Sequence, residues 1–205
     1  SIEEFAALAA SDAPAPGGGS VSAVAGALAA ALAEMVANLT VGKAKYADAE
    51  EEMKEIVAKG AEIRRTLVDD IERDSESFTL YMKALRMPKD TEEQKAVRRE
   101  AMQNGLKEAA RVPLSVARTA AEIFPLAEAV IARGNTNAVT DGLVAAMMAR
   151  TAVIGALFNV KINLGSIKDE EFRAEMEKEV SRLEAEAVEY EKRILKSSEL
   201  SDSLC

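Results

Sequence analysis

The chain has 205 residues, of which 48% are hydrophobic, 4% are aromatic and 39 are alanine. Its 35 acidic residues against 26 basic ones give a net charge of −9, which argues against general nucleic-acid binding. Histidine is absent and the one cysteine is the last residue, Cys205. That excludes Ser–His and Cys–His hydrolase arrangements and zinc sites built from His and Cys. Acid–base chemistry here has to come from Asp, Glu, Lys or Tyr. A carboxylate magnesium site is open on composition, but no residue pattern demands one and no metal is expected. A lone thiol offers no disulfide framework and fits a reducing cytoplasm. Glu3 and Glu4 rule out a signal-peptide n-region. The longest apolar run, Val21–Ala33, is too short to span a bilayer and stops at Glu34. A soluble, cytoplasmic protein without a membrane partner is expected.

In chain order, Ile2–Ala10 reads as a short amphipathic helix ended by Ser11-Asp12 and Pro14-Ala15-Pro16. Gly17-Gly18-Gly19-Ser20 follows, with Ser20 as the expected N-cap of a helix to about Val41. That helix is almost uncharged, and its small residues Ser22, Gly26, Ala29, Ala30, Ala33 and Ala37 predict a central position with close neighbours. From Asp48 to about Met87 the apolar residues Met53, Ile56, Ile63, Leu67 and Ile71 recur at helical spacing, with charges on the other face. Asp90 or Thr91 caps a helix over Glu92–Ala110. Another starts near Pro113 and runs to about Ala132, with a kink or break at Pro125. Gly134-Asn135 turns into an apolar helix over Asn137–Leu164, and a charged amphipathic helix covers Asp169–Ser198 before a polar tail expected to fray. No strand alternation or repeat interrupts the series. The expected fold is all-α, a single-domain antiparallel bundle of long helices. Two alanine-rich helices need extensive cover, and a homodimer would supply it.

Four polar features, and a pair of lysines beside them, ask for a reason. The glycine run before a buried helix can aim backbone amides at an anion or carbonyl, or it can be a connector. Asn137 and Asp141 share a helix face just after Asn135; capping accounts for one Asn but not for the whole set. Asn159 and Asn163, again four apart, either terminate the helix with interhelical hydrogen bonds or contact a ligand. Asp70 and Asp74 share a face that Phe78 continues; a solvated charged face is the alternative to a site. Lys43 and Lys45 can meet an anionic ligand or complement a helix C-terminus. Asp141 and Asn159 are five turns apart, about 27 Å, so one small ligand cannot touch both within one subunit. Either a long ligand spans them, or a second copy brings one pair close, or one pair is structural.

These residues resemble the formiminotransferase-cyclodeaminase C-terminal family. The resemblance is carried by Pro14-Ala15-Pro16-Gly17-Gly18-Gly19-Ser20 and Ala31-Leu32-Ala33-Glu34-Met35-Val36-Ala37-Asn38-Leu39-Thr40, then Asp74…Phe78 and Val112-Pro113-Leu114. Gly134-Asn135-Thr136-Asn137…Asp141 and Asn159-Val160-Lys161-Ile162-Asn163-Leu164 complete it, in the family's order over nearly the whole chain. Thr140 and Ser77 stand where Ser and Ala are frequent, both small changes. The resemblance implies an all-helical dimer that binds a tetrahydrofolate derivative near the glycine loop and the subunit interface. It assigns ligand contact to Gly17, Gly18, Gly19, Ser20, Asn135, Asn137 and Asp141, and places Asp74, Lys43, Asn159 and Asn163 at recurrent polar positions.

The implied chemistry is methenyltetrahydrofolate cyclohydrolase, in which water adds to the cationic methenyl carbon. The related formimidoyltetrahydrofolate cyclodeaminase, in which N10 attacks a formimino carbon and ammonia leaves, is the alternative. Each passes through a tetrahedral carbon that a carboxylate can serve as base and charge stabiliser. Asp141 or Asp74 is the expected base, the other binding the pterin, with Lys43 as proton donor or as partner of the folate carboxylates. No formiminotransferase domain is read in these residues, which favours the cyclohydrolase. A non-catalytic folate-binding helical module is the reading from outside enzymology.

Overall fold

The computed structural model describes residues 1–200; Cys205 and the end of the polar tail lie outside them. Among the described residues the structure is all-helical, as the periodicity predicts. Helix α1 spans Ile2–Ala9, with a Ser1–Glu4 capping box and no buried residue. Helix α2 spans Gly18–Asn38, a short 3-10 segment covers Ala44–Ala49, and the long α3 spans Glu50–Leu85. Helices α4 (Glu92–Ala121) and α5 (Ile123–Arg133) follow. A 3-10 turn at Thr136–Ala138 then leads into α6 (Val139–Leu164), and α7 (Glu170–Lys196) completes the order.

The interior is the α2–α6 pair, with α3 and α4 packed beside it and α7 laid over α6. Alanine makes this possible: Ala23, Ala29, Ala30, Ala33 and Ala37 of α2 and Ala145, Ala146, Ala149, Ala152 and Ala156 of α6 are fully buried. Short side chains bring helix axes together, and Gly26 marks one of the close approaches. A Cβ there would lie 2.9 Å from Leu67 Cδ1, 3.3 Å from Ala152 Cβ and 3.5 Å from Ala120 Cβ. Larger side chains fill the outer layers, among them Ile63, Leu67, Leu114, Phe124 and Leu183. Phe124 stacks on Tyr190 at a ring-centroid separation of 5.3 Å, tying α5 to α7. By length and composition alone, the segments Gly18–Asn38 and Thr136–Leu164 could cross a membrane; here they form the centre of the bundle.

Several element boundaries differ from expectation. Gly17, not Ser20, is the N-cap of α2, so Gly18 and Gly19 belong to its first turn. The helix ends at Asn38, short of Val41. Helix α4 does not stop at Ala110 but runs straight through Pro113 to Ala121. Pro113 removes only one backbone hydrogen bond, and a side chain from α6 takes up the freed carbonyl. The break comes instead at Glu122, leaving Pro125 in the first turn of α5, where a missing N–H costs nothing. Thr91 caps α4 in a box with Gln94, and Asp169 caps α7.

Candidate active site

Helix α2 begins beside the middle of α3 and the end of α6, and these three elements with Ala109 of α4 enclose a cavity of about 160 Å³. Its walls are Pro14, Ala15, Gly17, Gly18, Gly19, Asp74, Ser77, Phe78, Ala109, Asn159 and Asn163. The glycine run, Asp74 and the Asn159–Asn163 pair therefore meet in one place.

Asp74 reaches across from α3 to cap α2. Its Oδ2 accepts the Ser20 hydroxyl at 2.8 Å, and the carboxylate also accepts the Ser20 backbone N–H. This supplies from another helix the cap that Gly17 cannot provide, with a negative charge at the positive end of the helix dipole. Gly19 is required by this approach, because any Cβ there would run into the Asp74 carboxyl group. Burial pushes the Asp74 pKa up, and the two hydrogen bonds from Ser20 oppose that rise. A carboxylate raised in this way is a better base than a solvated one.

The two asparagines have their amide nitrogens committed to backbone. Asn159 Nδ2 donates to the Gly155 carbonyl at 2.9 Å. Asn163 Nδ2 donates to Ala109 O at 2.9 Å and to Asn159 O at 2.8 Å. Among the described residues neither side-chain oxygen has a hydrogen-bond donor, and both residues line the cavity. The N–H groups of Gly18 and Gly19, which begin the helix, have no acceptor within it. The cavity thus offers helix-terminal donors on one wall, with a carboxylate and two amide oxygens on the others. The solvated-face reading of the aspartates does not hold: Asp74 is half-buried, and Asp70, one turn earlier, is fully buried. Asp70 is ion-paired to Arg73 through one oxygen, and burial pushes its pKa up.

The remaining candidates sit at the opposite end of α2, about 30 Å away. Asn135 is buried and its bonds are internal. Its N–H donates to Thr40 Oγ1 at 2.8 Å, its Nδ2 to Leu39 O at 3.1 Å, and its Oδ1 accepts the Asn137 N–H at 3.1 Å. It fastens the turn before α6 to the end of α2. Asn137 and Lys43 are exposed, and Asp141 is half-buried in the first turn of α6. None of these four lines the cavity within one protomer. Sequence reasoning passed over Tyr46, whose hydroxyl receives the Thr136 N–H at 3.1 Å beside Lys45. Hydrogen bonds from Thr136 and the Lys45 cation bring its pKa down to about 8. A tyrosine in a short polar connection gave no periodic signal that could have marked it. Nor did the freed carbonyl of Ala109, which only the three-dimensional path of α4 reveals.

Comparison with known proteins bears on the family and the fold. Residues 1–182 match the formiminotransferase-cyclodeaminase family. The chain is 42% identical over 193 residues to the methenyltetrahydrofolate cyclohydrolase of Methylorubrum extorquens, covering 94% of this chain and 93% of that one. It is 38% identical over 173 residues to the formimidoyltransferase-cyclodeaminase of Sus scrofa, spanning 84% of this chain but only 32% of that longer protein. The crystal structure of formiminotetrahydrofolate cyclodeaminase from Thermotoga maritima superposes with a TM-score of 0.86 at 39% identity, covering 96% and 94% of the two chains. The fold and the sequence together place the chain in the formiminotransferase-cyclodeaminase family.

Proposed function

We propose that this chain is a methenyltetrahydrofolate cyclohydrolase, converting 5,10-methenyltetrahydrofolate and water to 10-formyltetrahydrofolate. The observation that carries this reading is the match to the Methylorubrum cyclohydrolase, which runs over nearly the full length of both chains. The second reading, formimidoyltetrahydrofolate cyclodeaminase, is favoured by the likeness to the Thermotoga structure.

In this proposal Asp74 takes a proton from the attacking water as the new C–O bond forms at the methenyl carbon. The tetrahedral adduct then collapses with cleavage of the C–N5 bond, and the proton held by Asp74 passes to N5. The hydroxyl proton of the adduct leaves to solvent as the formyl C=O forms on N10. One carboxylate with an elevated pKa serves both steps, which suits a chain without histidine. Asn159 and Asn163 accept from the donor edge of the pterin. The amides of Gly18 and Gly19 stabilise negative charge developing on the adduct oxygen.

A cavity of about 160 Å³ is smaller than the roughly 300–1,000 Å³ of a usual ligand pocket, so the rest of the substrate extends beyond it. We place that extension at a homodimer interface. Val21, Leu28 and Met35 of α2, with Leu39 just past its end, form one exposed stripe. Val144, Met147, Phe158 and Ile162 form another on the neighbouring α6, the last two 61% and 75% exposed. Two copies packed antiparallel about Thr151, midway between Val144 and Phe158, would bring the partner's Asp141 and Lys43 end toward the cavity. There they would bind the pterin or the anionic glutamate tail. We further propose one catalytic domain for the whole chain, cytoplasmic and working without a metal.

The deciding assay follows the near-ultraviolet absorbance of methenyltetrahydrofolate, corrected for spontaneous hydrolysis, alongside ammonia release from the formimino substrate. Catalysed decay of the first alone establishes the cyclohydrolase. Ammonia release with appearance of the methenyl signal assigns the cyclodeaminase. Binding of both without turnover leaves a folate-binding module.

A further inference from the structure

Pro113 lies in the interior of α4, and its effect can be followed into the cavity. A proline at that position has no N–H for the carbonyl four residues earlier, which is that of Ala109. Ala109 is buried, so its oxygen needs another donor. That donor is Asn163 Nδ2, at 2.9 Å, reaching from α6. The second Asn163 N–H goes to Asn159 O at 2.8 Å. With both hydrogens held by carbonyls the amide cannot turn over, because a flip would set its oxygen against two other oxygens.

We propose that Pro113 is a positioning residue: by freeing Ala109 O it locks the Asn163 amide with its oxygen presented to the cavity. The Asn163 wall of the cavity is thereby committed to a ligand edge that donates hydrogen bonds. The functional half of this inference rests on the folate reading above; the structural half does not. The Pro113→Ala substitution restores the missing N–H, which then competes with Asn163 for Ala109 O, while α4 itself gains a good helix former.

The test compares wild type, Pro113→Ala, Asn163→Ala and the double variant, with two readouts. In 15N–1H spectra, the paired side-chain signals assigned to Asn163 by their loss in Asn163→Ala should be slow to exchange. In Pro113→Ala they should shift and exchange several-fold faster, and the backbone amide that this substitution introduces should be protected. In kinetics, Pro113→Ala should raise KM for methenyltetrahydrofolate about 3- to 10-fold, the effect of one weakened hydrogen bond, with kcat changed less than KM. In the Asn163→Ala background the same substitution should leave KM unchanged, since the residue through which it acts is gone. Unaltered Asn163 signals in Pro113→Ala overturn the inference, as do equal KM increases in both backgrounds. Should wild type turn over no folate, the spectra still decide the Pro113–Asn163 link, and it is the functional proposal that fails.

Discussion

The two ends of helix α2 carry similar residues used in opposite ways. At its C-terminal end, Asn135 makes hydrogen bonds with its backbone N–H, its side-chain nitrogen and its side-chain oxygen, all to atoms of its own chain. At its N-terminal end, Asn159 and Asn163 commit only their nitrogens, and the glycine amides begin a helix with no side-chain cap of their own. Asp74 is half-buried there with its pKa raised by burial. The first end is a fastening; the second keeps bonding capacity in reserve around a cavity. What distinguishes a binding site from a polar joint is the capacity left over, not the residue types present.

The largest expected effect tests the reserve end directly. Asp74→Asn should lower kcat by roughly 10²- to 10⁴-fold, the range for loss of a general base, in protein whose circular dichroism is unchanged. Retention of full turnover would remove Asp74 from the mechanism. Gly19→Ala should cost up to about 100-fold in kcat/KM, because the added methyl displaces the Asp74 carboxyl group. On the dimer proposed above, wild type should give twice the single-chain mass by light scattering, and Leu28→Arg, on the exposed stripe of α2, should give the 21.9 kDa of one chain. If activity falls with it, the Asp141 end works in trans; a fully active monomer confines catalysis to one protomer.

Asn135→Ala should lower the free energy of unfolding by about 1–2 kcal/mol through loss of its cap and its bond to Leu39 O. A fall in kcat as large as that of Asp74→Asn would instead make the two ends one site. The smallest effect is a pH dependence. Burial raises the Asp74 pKa above its ordinary 3.8, so ionising it costs the folded state stability. That cost is absent below about pH 3.8 and complete above the folded pKa. Asp74→Asn, always neutral, should therefore gain in urea midpoint relative to wild type as pH rises from about 3.5 to about 7. The acid limb of kcat/KM for wild type should lie above pH 3.8, moved there by the same shift.

Helix type and order were legible because the 3.6-residue period is written into Met53, Ile56, Ile63 and Leu67 of α3 and into the alanine faces of α2 and α6. Boundaries were less so wherever a distant residue supplied what the local sequence lacked. Ser20 reads as a cap, yet Asp74, 54 residues away, does the capping. Pro113 reads as a helix start, yet Asn163 takes up the carbonyl it frees. At the site, composition removed histidine and cysteine chemistry, and the four-residue spacings gave the Asn159–Asn163 and Asn137–Asp141 pairs. Only the fold separates them, since a local pattern carries no information on whether an amide faces a cavity or a neighbouring carbonyl.

An interior built from alanine has an unusual tolerance to mutation. Trimming a core side chain normally opens a hole, but most of the α2–α6 contact has nothing to trim below a methyl group. Damage comes from growth instead: one extra carbon at Gly26 meets Leu67 at 2.9 Å, and a larger residue at Ala152 presses on the same spot. Among apolar substitutions in these two helices, selection should therefore act almost entirely on size. Innovation in substrate preference is left to α3, to the end of α6 and to the outer stripes, where side chains have room to change.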